Sequence, residues 1–280
     1  MQRTYRFRDG KELRLGARTL VMGILNVTPD SFSDGGRWDT RDNALRHMEE
    51  MVRDGADIID VGAESSRPGF IPMSAAEEIE RLLPFLEAVL PACPVPVSVD
   101  TFKAETARAA LCAGAHLLND IWGLQYAEEP GEMARVAAEA NVPVVVMHNQ
   151  NGTAYDADII AAMRSFFLRS LEIADAAGLA RENIILDPGI GFGKTAAQNM
   201  HVMRRMDELI SYDGMGYPVL LGASRKSFIG AALDLPVEER MEATGAACIM
   251  GIERGASIVR VHDVEPIVRM CRMTDAILGA

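Results

Sequence analysis

The sequence predicts a (β/α)8 TIM barrel with a short N-terminal β-hairpin, and three observations predict it. Eight short β-rich runs recur at intervals of roughly 20 to 40 residues, the spacing of a repeated βα unit. Most of these runs are near-continuous apolar stretches, as expected of parallel strands covered on both faces. Helical patterns fill the intervals, so strand and helix alternate through the chain. Its 280 residues suit a single domain, with 1–18 as the hairpin and 19–280 as the barrel. A doubly wound open sheet is the alternative that the same alternation allows.

In order along the chain, Thr4 to Gly16 alternates about Asp9-Gly10 as a hairpin, placed to cover the barrel's N-terminal mouth. The expected strands are Thr19 to Val27, Asp57 to Glu64, Val95 to Thr101, Leu117 to Ile121, Val142 to Asn149, Ile184 to Ile190, Pro218 to Arg225 and Ser257 to Asp263. Leu45, Met48 and Val52 mark a helix after the first strand. Ser74 and Glu77 form a capping box opening a helix that sets Ile79, Leu82, Leu83, Leu86 and Leu90 on one face. Thr195 and Gln198 form a second such start, and Val264 to Leu278 closes the chain with Pro266 tolerated in its first turn.

Composition excludes several classes. Half the chain is apolar (49 %) and a quarter charged (24 %), too apolar for a disordered protein. A net charge of −12 opposes a broad footprint on nucleic acid or anionic lipid. The N-terminus lacks a signal-peptide core and no apolar run reaches the roughly 18 residues of a membrane span, so the expected location is the cytoplasm. Cys93, Cys112, Cys248 and Cys271 lack metal-ligand spacing and read as free, buried thiols. The glycosylation-like Asn151-Gly152-Thr153 is discounted with the signal peptide. Lysine is scarce, only Lys11, Lys103, Lys194 and Lys226, so each is of interest.

A TIM barrel presents its reactive groups at the C-terminal ends of its strands. Here all eight ends are polar: Asn26; Asp60 and Glu64; Asp100; Asn119 and Asp120; His148; Asp187; Ser224, Arg225 and Lys226; then Arg260, His262 and Asp263. Each alone has a second reading as a helix cap or loop anchor. The loops Thr28–Gly36 and Ser65–Gly69 are long, hydroxyl-rich and bear glycine and proline, as binding loops do. Asp187-Pro-Gly-Ile-Gly-Phe-Gly-Lys-Thr195 is not a phosphate loop, because Pro188 stands where the first glycine belongs. Nor is it a dinucleotide fingerprint, because Lys194 replaces the third glycine. Its glycines instead allow a tight turn that brings Asp187 and Phe192 to the barrel mouth, with Lys194 left at the surface.

Arg67, Arg225, Lys226, Arg260 and His262 would gather at one mouth as a local positive site for a small anion, a phosphate group above all. Trp122, Met147 and Phe192 stand beside strand ends, where they either wall a flat ring or pack the core. His47 and His201 lie on helical stretches and read as surface residues, His116 precedes a strand, and His148 is either a ligand contact or a satisfied barrel residue.

Six segments taken together carry a resemblance. They are Met22-Gly-Ile-Leu-Asn-Val-Thr-Pro-Asp-Ser-Phe-Ser-Asp-Gly-Gly36, Ser98-Val-Asp-Thr101, Asn119-Asp-Ile121, Asp187-Pro-Gly-Ile-Gly-Phe-Gly-Lys194, Ser224-Arg-Lys-Ser227 and Arg260-Val-His-Asp-Val264. The chain resembles the dihydropteroate synthases from about Thr19 to its C-terminus. That resemblance implies a TIM barrel, often dimeric, that condenses 6-hydroxymethyl-7,8-dihydropterin pyrophosphate with 4-aminobenzoate. The products implied are 7,8-dihydropteroate and pyrophosphate, with Mg²⁺ as cofactor and sulfonamides as inhibitors that mimic aminobenzoate. Asp100, Asn119, Asp187 and Lys226 match the pterin-reading residues, with Met147 and Phe192 near the ring and Arg260 beside it. Asn26 matches the magnesium and pyrophosphate contact, and Arg260 and His262 match the pyrophosphate site. Phe32, Ser66, Arg67, Pro68 and Ser227 match the aminobenzoate region. The catalytic set so implied is Asn26, Lys226, Arg260 and His262.

The sequence departs from the family pattern in Gly62-Ala-Glu-Ser-Ser-Arg-Pro-Gly69, where Ala63 replaces a glycine and Ser66 a threonine. The lost methyl bears on aminobenzoate packing and sulfonamide affinity. After the fifth strand, His148-Asn-Gln-Asn-Gly152 departs from the Met-His-Met-Gln-Gly form. The chemistry suits the residue types: expelling pyrophosphate calls for stabilisation of an anion, and carboxylates such as Asp100 and Asp34 favour a cationic methylene on a dissociative path. Two rivals differ in class. A pterin-dependent methyltransferase domain has no use for the aminobenzoate loops, and a non-catalytic pterin-binding paralogue is expected to have lost Asn26, Arg67, Lys226 or His262.

Overall fold

Residues 2–27, 37–64 and 73–279 are described by the structure, a computed structural model. A hairpin pairs β1 (Arg3–Arg6) with β2 (Glu12–Leu15), setting Arg6 opposite Glu12. The chain then runs through β3 (Leu20–Asn26), α1 (Arg37–Arg53), β4 (Ile58–Gly62), α2 (Ala75–Ala92), β5 (Val97–Asp100) and α3 (Ala104–Ala113). Next come β6 (Leu117–Asp120), α4 (Glu132–Ala140), β7 (Val144–Met147), α5 (Ile159–Ala177), β8 (Ile184–Asp187) and α6 (Ala196–Arg204). A two-residue ladder of β9 (Ser211–Tyr212) and β10 (Met215–Gly216) precedes β11 (Val219–Leu221) and α7 (Ser227–Leu233). The chain ends with α8 (Met241–Glu253), β12 (Ala256–Val261) and α9 (Val264–Leu278). Parallel pairing in the order β11-β12-β3-β4-β5-β6-β7-β8 closes into a barrel, with Val219 beside Leu186 at the seam.

Successive side chains of a strand point to opposite faces, and in a closed barrel those faces are the axis and the helices. Leu20, Met22, Ile58, Leu117, Val145, Ile185, Leu220 and Ile258 pack together along the axis. Their neighbours in sequence, such as Val21, Ile59, Leu118, Val144, Val146 and Val259, belong instead to the two clusters beneath the helices. The apolar runs are therefore two interleaved sets, one for each face.

The hairpin closes the N-terminal mouth, as its sequence predicts. Tyr5, Leu13 and Leu15 join the axial cluster, and the Tyr5 hydroxyl donates to Glu182 O at 2.8 Å. Arg3 donates to Glu182 O, Ile184 O and Gly216 O at 2.8 to 3.1 Å, pinning the first strand beneath β8 and β10. His116 Nδ1 accepts the Val97 N–H at 3.0 Å, which leaves the ring proton on Nε2 to reach Asp9 at 2.9 Å. The histidine before β6 thus ties the hairpin turn to the barrel.

Both expected capping boxes form. The Ser74 N–H donates to Glu77 Oε2 at 2.8 Å and the Glu77 N–H to Ser74 Oγ at 3.3 Å, with a matching pair at Thr195 and Gln198. The last helix spans Val264–Leu278, as expected. Strands are shorter than their apolar runs suggest. Pro218 to Arg225 reduces to Val219–Leu221, because pairing stops at Leu221 and Arg225 takes a left-handed φ of 54°. Three cysteines are buried thiols, but Cys112 is exposed on α3, a correction to the reading that all four are buried. Truncating Leu13, 3 % exposed, as Leu13→Ala should lower stability by about 2–5 kcal/mol. The check is a fall in the urea midpoint at constant slope, with ligand affinity at the opposite mouth unchanged.

Candidate active site

One inward step above the apolar layer, the axial residues turn polar. Asp60, Asp100, Asn119, Asp187 and Arg260 follow Ile58, Ser98, Leu117, Ile185 and Ile258 at a spacing of two. The cleft above them encloses about 450 Å³, open solvent at its mouth included; Asp100, Asn119, Asp187 and Arg260 line it with Ile24, Ile121, Met147, Ile190, Phe192, Gly222, Ser224, Lys226 and His262, and Asp60 is buried outside that lining. An apolar wall with a few convergent polar groups and this volume suits a small flat ligand.

Arg260 organises the floor. Its Nε donates to Asp60 Oδ2 at 2.6 Å and its Nη2 to Asp100 Oδ2 at 2.7 Å, while Asn119 Nδ2 donates to the same Asp60 oxygen at 3.0 Å. Among the described residues, buried Asp60 Oδ1 has no hydrogen-bond partner. Burial raises the Asp100 carboxyl above the usual range against the pull of Arg260, with Asp60 adding to the rise. The same cause lifts Asp187 to about 6, although its Oδ1 accepts the Gly189 N–H at 2.6 Å. Lys226 Nζ stands 4.0 Å from the centre of the Phe192 ring, and burial with the nearby Arg260 lowers it to about 8. His262 falls to about 4, by burial first and then by Arg260 and Arg225, so it is neutral at pH 7. The expected positive site is therefore matched on one side by three carboxylates.

The structure brings Asp100, Asn119, Met147, Asp187, Phe192, Lys226, Arg260 and His262 to one cleft. Asn26 ends β3, half-buried and opposite Gly62, at the rim. Ser227 opens α7 and is exposed. Phe32, Asp34, Ser66, Arg67 and Pro68 lie outside the described residues. Arg225 does not line the cleft; it pairs with Asp263 at 2.5 and 2.9 Å. Asp120 is a loop anchor that accepts the Trp122 and Leu124 N–H groups. Trp122 packs behind Met147 and Phe192 in a shelf with Phe102, Ile121 and Tyr126.

Two lysines correct or extend the sequence reading. Lys194 is not at the surface: it is 7 % exposed, and its Nζ donates to His148 Nδ1, Gly189 O and Phe192 O at 2.9 to 3.0 Å. It staples the glycine turn to β7, and the turn needs its glycines. A Cβ at Gly189 (φ +63°) would meet His148 O at 2.0 Å, and one at Gly191 (φ +86°) would meet Lys226 Cδ at 2.8 Å. Lys103 is buried between Glu64 and Glu78, and Glu64 Oε1 also accepts the Met73 N–H at 2.9 Å. Both ends of segment 65–72 are thereby tied to one buried ion cluster. In the sequence Asp60, Glu64 and Ser224 stand out only as polar strand ends and Lys103 only through the scarcity of lysine, while Glu78 carries no signal.

The sequence profile of the pterin binding enzymes matches residues 22–262. The dihydropteroate synthase of Bacillus subtilis (strain 168) is 54 % identical over 262 residues, covering 94 % of this chain and 90 % of that protein. The chain belongs to the dihydropteroate synthase family. Solved members of the family share its fold. The enzyme from Clostridium difficile, crystallised in the presence of pteroic acid, superposes with a TM-score of 0.89 at 47 % identity, over 94 % of this chain and 98 % of that one. The Xanthomonas albilineans enzyme with 4-aminobenzoic acid gives 0.90 at 37 % identity, over 99 % and 100 %. The Yersinia pestis enzyme in a sulfonamide drug complex gives 0.88 at 39 % identity, over the same shares.

Affinity of the cleft for a ligand held by both Asp187 and Lys226 should be bell-shaped in pH. Below about 6 Asp187 takes a proton and ceases to be a double acceptor; above about 8 Lys226 loses one and its charge. Fluorescence titration should find the acid limb altered in Asp187→Asn, with Asp100, raised to about 7, carrying what remains. Replacing Lys103 as Lys103→Met leaves two buried carboxylates facing each other and should cost about 3–5 kcal/mol in urea unfolding.

Proposed function

We propose that this chain joins 6-hydroxymethyl-7,8-dihydropterin pyrophosphate to 4-aminobenzoate, giving 7,8-dihydropteroate and pyrophosphate, the dihydropteroate synthase step of folate biosynthesis. The observation that carries this is the convergence of Asp100, Asn119, Asp187 and Lys226 from four parts of the barrel on one cleft that Met147 and Phe192 also line. A pterin presents amine and ring N–H donors beside a carbonyl acceptor. Carboxylate, amide and ammonium are the complement of that edge. Met147 and Phe192 cover the ring faces.

Arg260 and His262 both line the cleft, where their free N–H groups would be offered to the leaving pyrophosphate. The methylene–oxygen bond breaks, pyrophosphate takes the electron pair, and the aminobenzoate nitrogen bonds to the methylene and releases a proton. That amine is neutral at pH 7, so no side chain is needed as its base. Asp100 and Asp60 put negative charge near the carbon as it becomes cationic. Phe32, Ser66, Arg67, Pro68 and Ser227, which match the family's aminobenzoate residues, would contact that substrate, and sulfonamides would compete there.

Mg²⁺ fits as an ion carried largely by the substrate. Among the described residues no three His, Cys, Asp or Glu side chains converge as a metal cage. The Asn26 amide oxygen at the rim suits a cation that keeps most of its water and phosphate ligands. Bound there, Mg²⁺ would offset charge on the departing pyrophosphate. A cytoplasmic homodimer completes the reading. Three cysteines stay reduced inside the fold, and no described helix is long and apolar enough to cross a membrane. Exposed Leu233, Val237, Met250, Met273, Ile277 and Leu278 support self-association through the C-terminal third.

Incubation of the purified chain with both substrates and Mg²⁺ should release dihydropteroate and pyrophosphate in equal amounts, read by mass spectrometry. Tight pterin binding without product would instead mean a non-catalytic paralogue. Lys226→Ala should lower turnover of the pterin substrate about 10- to 100-fold, the worth of a charged hydrogen bond; near-native kinetics would remove Lys226 from the site. Without aminobenzoate, an ¹⁸O label in the bridging position should scramble while pyrophosphate is held in the cleft. A label that stays fixed would count against the dissociative path.

A further inference from the structure

Ser224 follows β11, is 5 % exposed and touches the cleft beside His262. Its Oγ accepts the His262 backbone N–H at 3.2 Å and lies 3.0 Å from His262 Nδ1. A hydroxyl has one proton and two lone pairs. One lone pair is taken by the backbone N–H, and among the described residues the proton has no other acceptor than Nδ1. The ring proton then sits on Nε2, which takes no partner among those residues. The reverse arrangement, with Nδ1–H donating to Oγ, would leave a buried hydroxyl proton unpaired, a state folded proteins avoid. Charging the ring would have the same result, in keeping with the low pKa of His262.

We propose that Ser224 is a positioning residue that fixes His262 in the tautomer whose Nε2 donates, so that the imidazole meets an anionic phosphate oxygen with a proton and not with a lone pair. The proposal rests on the reading above that puts His262 at the pyrophosphate. A ring that flips or exchanges its proton would offer that oxygen a repulsive lone pair for part of the time. Ser224 prevents both with one hydroxyl held from two sides. His116 uses the same device at the other end of the barrel, where a backbone N–H occupies Nδ1 and directs Nε2–H at Asp9.

Nitrogen-15 spectra of the full chain labelled in histidine, with His262→Asn to assign the signal, read the tautomer without any turnover. The expected result between about pH 6 and 8 is an unprotonated Nδ1 and a protonated Nε2; a protonated Nδ1 overturns the proposal. Ser224→Ala should shift the Nδ1 signal and weaken inorganic pyrophosphate about three- to tenfold while leaving pteroic acid affinity unchanged. Ser224→Thr, which keeps the hydroxyl, should restore both. Equal losses for the two ligands in Ser224→Ala would mean a merely structural serine, and no loss for either would reject the role. If the parent chain binds pteroic acid but no pyrophosphate, the placement of His262 fails while the spectra still report its tautomer.

Discussion

A closed ring of eight parallel strands leaves every second side chain only the axis to occupy, and the rest of this structure follows from that constraint. Leucine, isoleucine and valine fill the lower axial layer, and the hairpin seals it from below. Two residues higher on each strand, the same direction delivers Asp100, Asn119, Asp187 and Arg260 to one volume, with Asp60 bonded to Asn119 and Arg260. The site needs no special loop to assemble its floor, since strand geometry already aims the groups there. The alternation that stabilises the barrel is the one that concentrates its polar groups.

Concentrating them has an electrostatic cost, and the structure shows how it is offset. An arginine cannot shed its charge, so Arg260 inside the barrel must be matched; Asp60 and Asp100 do so through two different nitrogens. That pairing holds both carboxylates near the axis. Asp60 is the hub, tying β4 to β6 through Asn119 and to β12 through Arg260. Of the two partners of Arg260, Asp100 also lines the cleft, so on the proposed mechanism one charge would serve both the resting ion pair and a cationic methylene.

The barrel and most of the cleft were legible in the sequence because their signals are local. Covered strands read as apolar runs, capping boxes sit within four residues, and polar groups at eight strand ends are visible once the fold class is known. Strand ends were overdrawn, as at Pro218 to Arg225, because apolar content continues past the last ladder bond while only pairing decides where a strand stops. Lys194 was misplaced for a different reason. A lysine in a glycine-rich turn reads as solvated, and what buries it is His148 on the preceding βα unit. The contact between Asp60 and Arg260 spans 200 residues, so no spacing rule reaches it. Ser224 was seen as a polar strand end, but its tie to His262 depends on the neighbouring strands β11 and β12 lying in register.

The hairpin has one more consequence. With Tyr5, Leu13 and Leu15 stoppering the lower end, the barrel is a vessel with a single mouth. Whatever rests on its floor arrives before anything that rests at its rim, and leaves after it. For the proposed reaction, a pterin read from the floor by Asp187 and Asn119 would have to enter before an aminobenzoate bound above it. The joined product then withdraws through the same opening. A plug on the face farthest from the chemistry thus imposes an itinerary on the ligands.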